Sequence, residues 1–213
     1  MQLLTSSHLI SIFHAMGDAI EREKDQLCVL DGKIGDADHG ITMSIGFTAI
    51  RKALGELDPE TATPSDVFNT AAKSFLSAVG ASAGPLYATA FMRAAAAVKG
   101  QNVLDTAALA SSIAAMAEGI QSRGKAEPGD KTMLDSWLPA ACVATECNDN
   151  TTLKELMVSV KQAAEKGAQA TVAMLAKKGR SAKLGERSIG HQDAGAASTA
   201  ILLGAMAESI EQL

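Results

Sequence analysis

Apolar residues recur every three or four positions along most of this chain, and this spacing constrains the fold more than any other feature of the sequence. The first such run consists of Leu9, Ile12, Phe13, Met16 and Ile20. These side chains would share one face of a helix. Aromatic residues make up only 3% of the chain, and β-branched residues rarely alternate with polar ones, so a sheet is disfavoured. The sequence therefore predicts an all-α fold.

Capping residues, glycine and proline divide the chain into about eight helices. The expected caps or starts are Ser6 or Ser7, Gly40, Thr63, Gly80 to Pro85, Asp105, Asp130, Thr152 and Ala194. The second helix is expected to end near Leu54, the fourth near Gly100 and the seventh near Lys178. Pro139 lies inside the sixth helix and is expected to kink it or open it locally. Short connections favour antiparallel neighbours, so we expect one domain over residues 1–213 that forms a helical bundle or closed barrel.

Charge and hydropathy exclude several classes of protein. The chain has 19 basic and 24 acidic side chains, a net charge of −5, whereas nucleic-acid-binding proteins normally have a basic face. We find neither a segment of ~20 uninterrupted apolar residues nor the features of a signal peptide. Cys28, Cys142 and Cys147 fit neither a zinc knuckle nor a redox pair and are expected to be reduced thiols. We therefore expect a cytoplasmic protein that binds neither nucleic acid nor membrane.

The segment before the second helix contains three carboxylates. Asp31, Asp36 and Asp38 fall close together, and such like charges repel unless a cation or hydrogen-bond donors compensate them. Carboxylate oxygens are ligands for Mg²⁺ or Ca²⁺. An EF-hand is excluded because, counted from Asp31, position 5 is Gly35 and position 12 is Thr42. The pattern favours Mg²⁺, and the alternative is a solvated turn whose aspartates cap the next helix.

Three further segments, 80–85, 123–133 and 179–195, combine glycine with hydroxyl or basic residues. The first leads into a helix, whose free N–H groups and dipole attract anions. The other two contain Arg or Lys, which bind phosphate groups. Each segment could instead be a structured connection with solvated charges. Together with the acidic segment they predict a nucleotide-phosphate site.

Motifs at residues 35–40, 122–133 and 184–193 resemble those of the nucleotide-binding subunit of dihydroxyacetone kinases, and the similarity extends along essentially the whole chain. The resemblance implies an eight-helix antiparallel barrel with the nucleotide site in the loops at one end. It also implies that two Mg²⁺ ions bridge Asp31, Asp36, Asp38 and the phosphates of ADP or ATP. The implied nucleotide contacts are His39, Gly40, Ile41, Thr42, Ser82, Ala83, Gly124, Met133, Arg180, Asp193, Ala194 and Gly195.

The same resemblance implies a phosphotransferase that acts only with a partner. A separate subunit would hold dihydroxyacetone and receive the γ-phosphoryl group, so no general base is assigned to this chain. We expect the ADP to be rephosphorylated by a phosphotransferase-system protein; the alternative is an exchangeable ATP with dihydroxyacetone or a ketotetrose as substrate. Thr42, Ala83 and Ala194 stand where relatives commonly have Asn, Ser and Pro, and they bear on how tightly ADP is retained.

The sequence is also compatible with two other classes of protein. The fourth and eighth helices are apolar on more than one face, which would suit a non-catalytic module that binds an apolar ligand in the helix core or a regulatory partner. A calcium-binding helical protein is the third class, and the failed EF-hand spacing disfavours it.

Overall fold

The computed structural model describes residues 2–148 and 150–213, and within these ranges it contains eight α-helices. They are α1 (Ser6–Ile34), α2 (His39–Leu54), α3 (Pro64–Ala78), α4 (Ala83–Ala97), α5 (Thr106–Gly124), α6 (Leu134–Thr145), α7 (Leu153–Ala170) and α8 (Ala194–Glu211). Two 3₁₀ segments, Thr171–Ala173 and Ser181–Ser188, lie between α7 and α8. The predicted all-α fold is confirmed. Among the described helices, none combines the length and hydropathy that crossing a membrane would require.

The helices form a closed ring. Each helix packs against the next one along the chain, and α8 packs against α1. The N-termini of α2, α4, α6 and α8 lie at the same end of the ring, since the first residue of each lines one cavity. An isolated antiparallel bridge between Leu4 and Leu104 fastens the segment before α1 to the connection between α4 and α5.

Aromatic side chains occupy part of the interior of the ring. The Phe13 ring packs edge-on against Phe68 and Phe91, with centroid separations of 5.9 and 5.3 Å. The Phe75 ring packs in the same way against Phe47 at 5.9 Å. All five rings are buried. Edge-to-face pairs add to the free energy gained by burial, so this cluster stabilises α1 to α4 as one layer of the ring.

Local capping chemistry explains most of the helix starts. Thr63 and Thr152 accept a hydrogen bond from the third residue of α3 and α7, in capping boxes with Asp66 and Glu155. Asp105 caps α5 through the Ala108 N–H. These three predicted caps are confirmed, and α8 begins at Ala194 as predicted.

Two predicted starts are wrong. Helix α1 is capped by Thr5, not by Ser6 or Ser7, because the Thr5 hydroxyl accepts the His8 N–H while the Ser6 hydroxyl donates to a distant carbonyl. Asp130 does not cap α6, which begins at Leu134.

The physical reason for the late start of α6 is the turn that precedes it. The Asp130 carboxylate accepts the Glu127 N–H, and the Asp135 carboxylate accepts the N–H groups of Gly129 and Thr132. These bonds hold residues 127–133 as a turn. Helix α6 then continues through Pro139.

One predicted end is also wrong, since α7 stops at Ala170 and not near Lys178. The Thr171 carbonyl accepts the Met174 N–H in a 3₁₀ turn and also a bond from the Lys131 ammonium, forty residues earlier in the chain. A distant side chain therefore contributes to the end of this helix.

Candidate functional site

The loops before α2, α4, α6 and α8 line a single cavity of about 590 Å³. The first residue of each of these four helices faces it, so four positive helix ends converge there. Such a cavity has the volume of a small-molecule site and a preference for anions. The residues implied by the sequence that line it are Asp31, Asp36, Asp38, His39, Thr42, Ser82, Ala83, Gly124, Met133, Arg180, Asp193, Ala194 and Gly195.

Gly40 and Ile41 do not belong to the lining. A Cβ atom on Gly40 would lie 1.9 Å from the Lys24 carbonyl oxygen, so this glycine allows α2 to approach α1 closely. Ile41 is 51% exposed. Any contact of these two residues with a nucleotide remains a prediction.

The three aspartates form one cluster at the cavity. Each can offer one carboxylate oxygen such that the three oxygens lie within 4.8 Å of one another. Asp31 belongs to the last turn of α1, Asp38 immediately precedes α2, and Asp36 lies in the short connection between them. The three carboxylates therefore lie together at the cavity, and their role as metal ligands stays a prediction.

The backbone around the cluster holds Asp31 in place. Its carboxylate accepts the N–H groups of Asp38 and His39 at 3.0 and 3.3 Å. A Cβ atom on Gly35 would lie 2.1 Å from the Asp31 Oδ1, so a side chain at that position would displace the carboxylate. Ala37 has a φ of 62°, the left-handed conformation that reverses the chain within the connection. A pre-formed set of hard oxygen donors open to a cavity fits Mg²⁺.

Arg180 reaches the acidic cluster from the segment between α7 and α8. Its guanidinium forms an ion pair with the Asp36 carboxylate. The contact joins the segment between α7 and α8 to the α1–α2 connection, and both groups remain partly exposed. A guanidinium beside these carboxylates can also bind a phosphate oxygen, for which its geometry is suited.

Polar side chains continue from the cavity into the ring, from each of the four helices that begin there. The His39 Nε2 lies 2.8 Å from the Ser198 hydroxyl, and burial lowers the pKa of His39, which favours the neutral imidazole. Tyr87 on α4 and Trp137 on α6 are buried, and neither the Tyr87 hydroxyl nor the Trp137 Nε1 has a hydrogen-bond partner among the described residues.

Asp193 caps the N-terminus of α8. Its carboxylate accepts the Ala196 N–H at 2.8 Å, and its own N–H donates to the Thr171 hydroxyl at 3.0 Å. Burial raises the pKa of Asp193 to about 6, while the Lys131 ammonium acts in the opposite direction. Ala194 and Gly195 line the cavity beside this carboxylate.

Several lining residues were not identified from the sequence as part of the site. Leu86, Ile120 and Leu134 give the cavity an apolar wall, which can accept a flat aromatic base. Ile120 belongs to a stripe of apolar residues that is indistinguishable from core in the sequence. Lys131 and Thr132 belong to the segment 123–133, which the sequence predicts to bind phosphate. That these two residues line the cavity could be seen only in the folded structure.

The model of the DAK2 domain family matches residues 33–208. The chain is 38% identical to the ADP-binding subunit DhaL of the PEP-dependent dihydroxyacetone kinase 2 of Listeria innocua, over 99% of this chain and 97% of that protein. It is 37% identical to the corresponding ADP-binding subunit DhaL of Escherichia coli, over 94% of this chain and 95% of that protein.

A solved kinase structure has a similar fold over almost the whole of this chain. The dihydroxyacetone kinase of C. freundii, in complex with AMP-PNP and Mg²⁺, superposes with a TM-score of 0.72 at 25% identity. The match covers 98% of this chain and 35% of that one, so this chain spans about a third of the solved kinase.

Proposed function

The chain belongs to the DAK2 domain family, and from this premise we propose that it is the nucleotide-binding subunit of a dihydroxyacetone kinase. In this role it holds Mg-ADP or Mg-ATP and delivers the γ-phosphoryl group to dihydroxyacetone on a separate subunit. The observation that carries the proposal is the cluster of Asp31, Asp36 and Asp38 in a cavity onto which four helix N-termini converge.

The charge and polarity of the lining residues indicate which part of Mg-ADP or Mg-ATP each of them would bind. Asp31, Asp36 and Asp38 would hold Mg²⁺, two ions in our proposal, which neutralise charge on the phosphate oxygens. The four helix ends supply N–H donors for the same oxygens, and Arg180 adds a guanidinium. The apolar wall of Leu86, Ile120 and Leu134 would bind the base. Phosphoryl transfer depends mainly on such positioning and neutralisation, so the chain needs no general base of its own.

We propose further that residues 1–213 act as one domain, in the cytoplasm, and that a phosphotransferase-system protein rephosphorylates retained ADP. The closed ring supports the first statement, since α8 packs against α1. The three free cysteines are compatible with the second. The third is supported by the names of the DhaL relatives, which are called PEP-dependent. The alternative donor is free, exchangeable ATP.

The first experiment measures nucleotide binding. Titration calorimetry with Mg-ADP is carried out on the wild type, on Asp36→Asn and on Asp25→Asn, an exposed carboxylate of α1 outside the cavity. We expect the affinity to fall at least about tenfold, or 1.4 kcal/mol, for Asp36→Asn and to stay unchanged for Asp25→Asn. Equal affinity of all three proteins would contradict the metal assignment.

The phosphoryl donor is tested on the same protein. After purification and dialysis, the chain is denatured and the supernatant is analysed by chromatography. Near-stoichiometric ADP would support a retained cofactor that is rephosphorylated in place. A site that is empty but binds ATP once Mg²⁺ is added would support the exchanging kinase.

A further inference from the structure

Lys131 is the only buried lysine in the part of the chain that the structure describes, and it lies in the wall of the cavity. Its segment, residues 123–133, combines two glycines with Arg123, Lys125 and Lys131, a composition that points to side chains that bind phosphate. Its backbone has a φ of 62°. A left-handed conformation is unfavourable for a residue other than glycine and persists where the surrounding contacts determine it.

The three protons of the Lys131 ammonium all have protein acceptors. The Nζ donates to the carbonyl oxygens of Thr171, Met174 and His191, at 2.6, 3.2 and 2.5 Å. A lysine ammonium has three donors and no acceptor. In this arrangement no proton is left for a phosphate oxygen.

The acceptors belong to two segments that meet at the start of α8. Thr171 begins the 3₁₀ turn after α7 and Met174 directly follows it, while His191 lies two residues before Asp193. These segments also bond to each other directly, since the Gly190 N–H donates to the Val172 carbonyl at 2.8 Å. The Asp193 carboxylate attracts the ammonium and supplies its counter-charge.

We infer that Lys131 is a positioning residue for the nucleotide, which binds the segments 171–174 and 190–193 together and holds the first turn of α8 against the cavity without contacting the phosphates. This inference rests on the proposed function, because it assigns the role of Lys131 within the same site. It differs from the expectation for a lysine in a phosphate-binding loop, which would donate to the ligand.

The test compares Lys131→Met with the matched control Lys177→Met. Methionine removes the ammonium and keeps most of the stem, while Lys177 is 59% exposed, pairs with Asp130 at 3.8 Å and lies outside the lining. We expect Lys131→Met to weaken Mg-ADP binding about tenfold. In the reconstituted enzyme the KM for the nucleotide should rise while kcat changes little. Amide hydrogen exchange should become faster in residues 171–174 and 190–195 alone, and Lys177→Met should change none of these quantities.

Two outcomes would overturn the inference. One is unchanged affinity of Lys131→Met in calorimetry. The other is weaker binding with unchanged exchange in both segments, which would indicate a direct contact with phosphate. If the wild type itself binds no Mg-ADP, the proposed function fails first, and the calorimetry separates that result from a failure of the Lys131 assignment alone.

A measurement on the wild type covers the case in which Lys131→Met does not fold. The ¹⁵Nζ resonance of a buried lysine with three acceptors should exchange slowly with water and be visible in lysine-selective NMR. We expect this resonance in the free protein and little change in its shift when Mg-ADP is added. A fast-exchanging ammonium, or a large shift on addition of Mg-ADP, would overturn the assignment.

Discussion

At the scale of single residues, Asp193 shows how the site affects the stability of the chain. Its carboxylate caps α8, but burial beside the cavity raises its pKa to about 6 from the ordinary 3.8. A carboxyl group whose pKa is raised by folding binds its proton more tightly in the folded state. Its contribution to stability is therefore present below about pH 4 and is lost as the pH rises through about 6. The loss amounts to at most about 3 kcal/mol.

We expect Asp193→Asn to remove this pH dependence. Asparagine also caps helices, so the bond to the Ala196 N–H is retained while the buried charge disappears. In urea denaturation, the variant and the wild type should have similar stability near pH 4, and the variant should be the more stable protein at pH 7.5. Asp105→Asn, at the cap of α5, controls for the exchange of an aspartate cap. A difference between Asp193→Asn and the wild type that is the same at every pH would contradict this account.

Tyr87 is a second residue whose buried polar group lowers the stability of the folded protein. Its hydroxyl is buried, and burial raises its pKa, while the side chains of Thr199, Ser198 and Trp137 act in the opposite direction although none of them meets the hydroxyl with hydrogen-bond geometry. Removing an unpaired buried hydroxyl recovers about 1 kcal/mol or more of desolvation energy. We expect Tyr87→Phe to leave the free energy of unfolding unchanged or to raise it by about 1 kcal/mol. A clear loss in urea denaturation would show that the hydroxyl has a partner in solution, such as a bound water molecule.

At the scale of helices, Gly46 and Gly204 allow a test of how closely the helices pack, because only one of the two positions has space for a side chain. A Cβ atom on Gly46 of α2 would lie 2.1 Å from the Phe75 Cε2, whereas one on Gly204 of α8 would have its nearest neighbour, the Lys161 Cε, at 3.8 Å. Alanine should therefore separate α2 from α3 at position 46, with a loss of about 1–3 kcal/mol. At position 204 it should stabilise α8 by about 0.5–1 kcal/mol. Urea denaturation of Gly46→Ala and Gly204→Ala measures both, and a loss of equal size at the two positions would contradict the packing argument.

The helices also show how far the sequence could predict the structure. The caps at Thr63, Asp105 and Thr152 depend on residues within one turn, and they were predicted correctly. The late start of α6 and the early end of α7 depend on the turn at 127–133 and on Lys131, whose bond to Thr171 spans forty residues. The bonds that delay α6 lie within residues 127–135, where Asp130 and Asp135 accept N–H groups of the turn, whereas no local pattern contains the contact of Lys131 with the end of α7.

The site likewise has a part that the local sequence predicts and a part that depends on contacts between distant segments. Its acidic cluster lies within eight consecutive positions, so the spacing alone brought Asp31, Asp36 and Asp38 together. The apolar wall and the role of Lys131 involve segments far apart in the chain, which only the closed ring brings to one cavity.

At the scale of the whole molecule, the cavity joins the connections before all four even-numbered helices. A ligand bound there contacts elements from every part of the ring, including α8, which closes it against α1. Ligand binding should therefore stabilise the complete fold and not one local segment. The increment follows from mass action and amounts to about 2.7 kcal/mol when the free ligand is at 100 times its Kd.

We expect Mg²⁺ and ADP to be coupled in this effect. The acidic cluster repels phosphate unless a cation is bound, and phosphate oxygens complete the coordination of that cation, so each should strengthen the binding of the other by the same factor. Thermal unfolding is measured with Mg²⁺ alone, with ADP and EDTA, and with both ligands. The Tm should rise strongly only with both, and Asp36→Asn should lose this rise while Asp25→Asn keeps it. An equal rise with ADP in EDTA would mean that the helix ends and Arg180 bind the phosphates without a metal, and the three carboxylates would then need another role.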